Sequence, residues 1–240
     1  MAFQCPACSH DQVSTVVPAG DCRYALCAAC ASLYLHPMPD GGEGLPSGAA
    51  SIAGWAERQV IGRLRRLGPA VRRVGANVSG RALCEAFELH TLRADARTAH
   101  VFDAIVLMQA IDRSAEPGCT VQALRRMLAP GGTLLVLTPN ALFARGVLAL
   151  KSRGRPARDD IGDILRPATR KVIYSARGIT CLLQRNGFDQ IGIRAAAPDL
   201  SGSTPRWLPV GLYLMSRAVQ TLAPRTFLNH AMICSATRKD

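Results

Sequence analysis

Four cysteines in two CxxC knuckles, Cys5-Pro6-Ala7-Cys8 and Cys27-Ala28-Ala29-Cys30, are the residues whose type and spacing most directly specify chemistry in this chain. Each knuckle turns the backbone tightly enough for two thiolates to reach one cation, and the two together complete a tetrahedron. The loop between them falls within the roughly 15 to 20 residues expected of a four-cysteine zinc site. Four sulfur ligands leave no open coordination position, so the zinc is expected to be structural rather than catalytic. Cys22 and His10 are alternative ligands, but neither has a knuckle partner. The chain has nine cysteines in all. In this pattern they point to metal binding in a reducing compartment rather than to disulfides. The first ten residues, MAFQCPACSH, lack the basic-then-apolar design of a secretory signal. A cytoplasmic location is the resulting expectation.

The elements that must position further chemistry read as α/β. Residues 102–108 are a nearly unbroken apolar run of strand length, and residues 133–138, TLLVLT, are a second. Between them Val121, Leu124 and Leu128 recur at helical spacing, with Arg125 and Arg126 facing outward and Pro130-Gly131-Gly132 expected to stop the helix. Strand, helix, strand with both strands buried is a βαβ crossover, so a parallel sheet is implied. Downstream, Ser175 is placed as the N-cap of a helix burying Ile179, Leu182 and Leu183 and ending at Asn186-Gly187. The strand FDQIGIRA follows, and MICSATRK is read as a strand antiparallel to its neighbour at the sheet edge. Upstream, the Gly/Ser/Pro/Ala-rich residues 40–54 read as a linker. Residues 55–67 form an amphipathic helix with Val60, Ile61, Leu64 and Leu67 inside and Arg58, Arg63, Arg65 and Arg66 outside. The expected organisation is therefore a zinc-ribbon module over residues 1–39, a linker over 40–54 and an α/β domain over 55–240.

At 240 residues with 48% hydrophobic content the chain can bury a substantial core. The formal charge of +12 raises nucleic acid or an anionic membrane as partners. The excess is nearly all arginine scattered through the chain, and aromatic stacking residues are lacking near the ribbon. Both facts disfavour nucleic acid. No apolar run approaches the ~20 residues of a spanning helix. The most apolar helix, residues 208–222, carries Trp207, Leu212, Met215 and Val219 on a stripe suited to core packing, a homodimer or protein-partner face, or membrane-surface contact.

The segments Phe102-Asp103, Pro130-Gly131-Gly132 and Thr138-Pro139-Asn140, in this order and spacing, with YLHPMP after the second knuckle, resemble the class I S-adenosylmethionine-dependent methyltransferases, in the branch with an N-terminal zinc-binding module. The resemblance implies a Rossmann-like methyltransferase sheet beside a four-cysteine zinc ribbon that serves as a platform. It implies S-adenosylmethionine as cofactor, with Gly75 and Gly80 as the surviving glycines of its loop. Asp95 stands where the family contacts the adenine, and Met108 and Gln109 stand at the end of the fourth strand. Asp112-Arg113 stands where the family has an acidic residue followed by histidine, and Thr169-Arg170-Lys171 near a second family histidine. Arginine stays protonated, so Arg113 restricts the acceptor rather than serving as a base. The usual acid-x-Gly-x-Gly-x-Gly pattern is absent. The interval from Gly80 to Phe102 holds one helix and one strand where relatives fit two of each, so one βα unit, the one with the ribose acid, is expected to be missing.

Two function classes lead. The first is a methyltransferase acting on a small-molecule acceptor, with a sugar, a lipid or a secondary metabolite as candidates and the basic residues Lys151, Arg153, Arg155 and Arg158 available to a phosphorylated one. The second is a non-catalytic methyltransferase-fold protein acting as scaffold or regulatory partner. A nucleic-acid-binding protein is the third.

Overall fold

The computed structural model describes residues 4–19, 22–38, 50–51, 54–92, 101–152, 169–196 and 230–239, with residues 210, 211, 214, 215, 218, 219 and 221. The chain begins with a meander, β1 (Val13–Ala19), β2 (Cys22–Cys27) and β3 (Leu33–Leu35), antiparallel throughout and carrying the two knuckles. Strand β4 (Ala50–Ser51) lies within the segment expected as linker, and α1 (Gly54–Arg66) follows. Then come β5 (Arg73–Ala76), β6 (Val78–Ser79), which pairs with β4, α2 (Arg81–Ala86) and β7 (Glu88–Thr91). Strand β8 (Phe102–Met108) leads through a single 3-10 turn, Ile111–Arg113, to α3 (Pro117–Met127) and β9 (Leu128–Pro139). The remainder is α4 (Ala141–Ser152), β10 (Val172–Ile173), α5 (Ala176–Arg185), β11 (Phe188–Ala195) and β12 (Ala231–Arg238).

Six strands form the main sheet in the order β11-β12-β9-β8-β5-β7. The four from β9 to β7 are parallel to one another, while β12 runs antiparallel to both β9 and β11. Because side chains alternate along a strand, β8 feeds two apolar layers. Ala104 and Val106 point toward Val60, Ile61 and Leu64 of α1 and Leu83 of α2. Ile105 and Leu107 point toward Val121 and Leu124 of α3 and Ile179 and Leu182 of α5. That second layer also contains Cys5, Cys30 and Tyr34, so the ribbon shares its core with the α/β domain.

The two parts are also joined backbone to backbone. Strand β10 pairs antiparallel with β3, so the ribbon sheet, β1-β2-β3-β10, ends on a strand of the larger domain. Beside it, Ser175 caps α5 by accepting from the Gly178 N–H at 2.9 Å, and its own N–H donates to Ser32 Oγ at 3.1 Å. The first turn of α5 thereby rests on the second knuckle.

Sequence expectations meet the structure most closely at β8, α2, β11 and the buried face of α5. Three differ. The helix before Pro130-Gly131-Gly132 ends earlier, at Met127, and the Pro-Gly-Gly lies inside β9. There Phe102 pairs with Leu128 and Ala104 with Thr133, so the tripeptide makes a bulge rather than a stop, with Gly131 at φ 70°. Leu67 is exposed, because α1 has ended before it. Arg125 is half-buried, its guanidinium donating to the carbonyls of Gly187 at 3.2 Å and Lys239 at 2.7 Å.

The joint makes a specific demand at Gly178, where an added Cβ would lie 2.0 Å from Ser32 Oγ and 3.3 Å from Cys30 Sγ. Gly178→Ala is expected to destabilise the folded chain by about 1–3 kcal/mol, the usual cost of overpacking a tight interior. Urea melts of the zinc-loaded variant and wild type measure the difference.

Candidate cofactor crevice and four-cysteine centre

The sulfur atoms of Cys5, Cys8, Cys27 and Cys30 all lie within 4.8 Å of one another. The Cys5–Cys30 and Cys8–Cys27 separations are 3.7 and 3.5 Å. A tetrahedron of thiolates at about 2.3 Å from zinc has edges of about 3.8 Å, so the cluster fits that ion. The Cys30 N–H points at Cys27 Sγ, 3.5 Å away, as the second knuckle turns back on itself. Contact with Cys30, then burial, pushes the Cys5 thiol up, while contact with Cys5 and a hydrogen bond with Ser32 pull Cys30 down. Four sulfurs this close are compatible with a cation between them. Among the alternatives weighed from sequence, Cys22 is exposed, and His10 engages Cys5 only through its backbone carbonyl.

The larger site follows from the sheet order. From β5 the chain moves outward to β7, then returns across β5 to β8 on its other side. The strand order therefore reverses between β5 and β8, and in open α/β sheets the ligand crevice lies outside the carboxyl ends of the strands at that point. Here those ends are Ala76-Asn77 and Met108-Gln109. They are tied together by Asn77, a buried side chain that accepts from the Met108 N–H at 2.7 Å and donates to the Met108 carbonyl at 3.0 Å. Gln109 is exposed at φ 49°, and its N–H donates to Leu137 O. Gly80, extended and buried, precedes α2. A fourth group shapes this rim: Glu57 of α1, buried, accepts from the Leu83 N–H at 2.9 Å and so caps the first turn of α2.

The site residues expected from sequence fall into three groups. Met108 and Gln109 stand at the carboxyl end of β8 and Gly80 stands just before α2. Gly75 lies inside β5, where a Cβ would meet Leu92 at 2.8 Å and Phe102 at 3.0 Å, so side-chain packing accounts for the glycine. Asp95 lies outside the described residues, as do Arg153, Arg155 and Arg158 of the basic loop. Among the described residues, β7 ends in Thr91 and Leu92 with no carboxylate at the place of the ribose acid. The strand beside β5 is thus present, and the residues that follow it, 93–100, lie outside the described residues. Asn77 and Glu57 carry no sequence signal, and Arg170 is singled out only by its place near a second family histidine and not as a partner of Asp112, because each acts through a partner distant in the chain.

Asp112 and Arg113 are placed apart despite being neighbours. Arg113 is exposed, and Asp112 is fully buried in the turn after β8, where among the described residues no other residue hydrogen-bonds either carboxylate oxygen. The Arg170 guanidinium lies 3.6 Å from Asp112 Oδ2. Burial pushes the Asp112 carboxyl up to about 6, against the pull of its own backbone N–H and of Arg170 and Arg113. Tyr174, fully buried, and Tyr24 are the other titratable groups facing it.

The folded chain therefore holds the Asp112 proton in a range where the unfolded chain has released it. Its contribution favours folding at low pH and is lost as pH rises from about 4 to about 6. Across that window wild type is expected to lose up to about 3 kcal/mol relative to Asp112→Asn. Paired denaturation curves of the two proteins check this, since protonation of the cysteines is common to both and cancels.

A family model described as a methyltransferase domain matches residues 42–191. No curated protein sequence matches the chain. Among solved structures it is similar to an S-adenosylmethionine-dependent methyltransferase of Thermotoga maritima, a possible histamine N-methyltransferase, at 13% identity over 77% of this chain and 90% of that one, with TM-score 0.44. It is similar to another from Archaeoglobus fulgidus at 12% identity over 76% and 94%, with TM-score 0.43. Phosphoethanolamine N-methyltransferase 2 of Haemonchus contortus aligns at 14% identity over 79% of this chain and 54% of that one, with TM-score 0.47. With the family model covering well over half of its length, and a sheet whose switch point falls inside the matched segment, the chain belongs to the class I S-adenosylmethionine-dependent methyltransferase family.

Proposed function

We propose that the chain is an S-adenosylmethionine-dependent methyltransferase that acts on a small-molecule acceptor and carries a structural zinc in the four-cysteine centre. The observation that carries this reading is the crevice between β5 and β8, rimmed by Asn77, Gly80, Met108 and Gln109, inside the segment matched by the methyltransferase model. When bound, the cofactor supplies a methyl group on a sulfonium, an already good leaving group. The chain's own task is then alignment and exclusion of water, which can supply much of the rate. Asn77 fixes the separation of the two strand ends by holding both the N–H and the carbonyl of Met108. In this reading Arg113, permanently charged and exposed, serves to hold a polar acceptor and cannot take a proton from it. The acceptor is accordingly one whose attacking atom needs no histidine-type base; sugar, lipid and secondary-metabolite acceptors all include such cases. Among the described residues no helix is long and apolar enough to cross a membrane. In the segment over residues 208–222, Leu214 and Met215 are exposed, which supports a partner or surface contact there.

One observation favours the non-catalytic reading: no carboxylate stands at the end of β7 among the described residues. Calorimetric titration of the zinc-loaded protein with S-adenosylmethionine and S-adenosylhomocysteine separates the two. Micromolar binding is expected for wild type. Asn77→Ala, which strands two backbone groups of Met108, is expected to weaken it about tenfold. Absence of binding by folded protein at millimolar ligand would overturn the enzyme reading and leave the scaffold.

A further inference from the structure

Residues 170–175 are gripped from two sides. On the ribbon side Leu35 N–H donates to Lys171 O at 2.8 Å, and Val172 and Ile173 pair with Tyr34 and Leu33. The Tyr24 hydroxyl of β2 donates to the Arg170 carbonyl, and the Ser175 hydroxyl donates to the carbonyl of Cys30, itself one of the four clustered cysteines. On the crevice side Lys171 N–H donates to the Asp112 carbonyl at 2.7 Å, the Arg170 guanidinium faces the Asp112 carboxylate at 3.6 Å, and the Tyr174 hydroxyl reaches Ile111 O at 3.5 Å. The turn Ile111–Arg113 begins three residues after Met108, the end of β8 that rims the crevice. Its internal support is thin: Arg113 N–H to Ala110 O at 3.1 Å and Ser114 N–H to Ile111 O at 3.4 Å. From outside it is held by this strap together with β9 and α3, against which Ile111 is buried.

We infer that the zinc ribbon positions the wall of the cofactor crevice, acting through Tyr24 on Arg170 and through Arg170 on the Asp112 turn. Arg170 is a positioning residue in this arrangement, and Tyr24 sets it from the opposite face of the strap. The ribbon is then a working part of the site rather than a platform beside it. The carboxylate it acts on is buried, and among the described residues no other residue donates a hydrogen bond to it, so its orientation depends on the guanidinium brought to it. The inference rests on the reading that the crevice between β5 and β8 takes the cofactor.

The test uses the full zinc-loaded chain and the variants Tyr24→Phe, Arg170→Ala and Arg170→Lys, each checked for metal content. Amide hydrogen exchange and S-adenosylhomocysteine binding are both read. Tyr24→Phe keeps the ring in its core and removes only the hydroxyl. It is expected to speed exchange at residues 110–114 and to weaken S-adenosylhomocysteine about fivefold, the scale of one lost hydrogen bond, with zinc retained. Arg170→Ala is expected to exceed it on both readouts, and Arg170→Lys to restore part of each. A role confined to general stability would raise exchange across β11 and β12 as much as at residues 110–114, and that result overturns the inference. So does wild-type exchange at residues 110–114 in both Tyr24→Phe and Arg170→Ala. If the variants open residues 110–114 selectively while wild type binds no S-adenosylhomocysteine, the cofactor reading fails and the mechanical link stands.

Discussion

The antiparallel pairing of β3 with β10 is the interaction on which the rest of the architecture depends. A three-stranded ribbon of this size leaves backbone groups along β3 that need partners, and the larger domain supplies them from a two-residue strand. Once that register is set, Ser32 and Ser175 meet, the cap of α5 forms, and the first turn of α5 closes over Cys30 with no room for a side chain at Gly178. The geometry of the cysteine centre and the placement of a core helix are therefore one problem with one solution. A hydrophobic layer that includes both Cys30 and Ile179 is the packing expression of the same fact.

The crevice is built from buried polar groups that work in pairs across long sequence distances. Asn77 binds the end of β8, Glu57 caps α2 from α1, and Arg170 faces Asp112 from the strap. Each answers a local deficit: two strand ends with unpaired backbone groups, an uncapped helix start, an interior carboxylate. Such groups are costly to leave unpaired, so they fix relative positions more sharply than apolar contacts do. This chain holds the mouth of β5 with an amide side chain.

Much of this was legible from one-dimensional patterns, for definite reasons. The apolar run of β8, the period of Ile179, Leu182 and Leu183, and the Ser175 cap are local signals, and the structure places them as the pattern requires. Pro130-Gly131-Gly132 misled because the same residues that end a helix also make a bulge, and only the partner strand decides between them. The polar pairs were illegible because nothing near Asn77 or Arg170 in sequence announces Met108 or Asp112. The cysteine centre was legible because metal chemistry dictates spacing within each knuckle. Its second role, against α5, was not, since it depends on residues 143 positions away.

The same distance has a consequence in time. As the chain is made, the ribbon emerges well before the strand that completes its sheet. At about 5–20 residues per second, the 143 positions between Ser32 and Ser175 take roughly 7–29 s to synthesise. During that interval the cysteine cluster is near enough in sequence to take a metal, while β3 still lacks its neighbour. A nascent chain whose four cysteines take a metal thus carries a closed ribbon with one unsatisfied edge, a species open to wrong pairing until Val172 and Ile173 arrive.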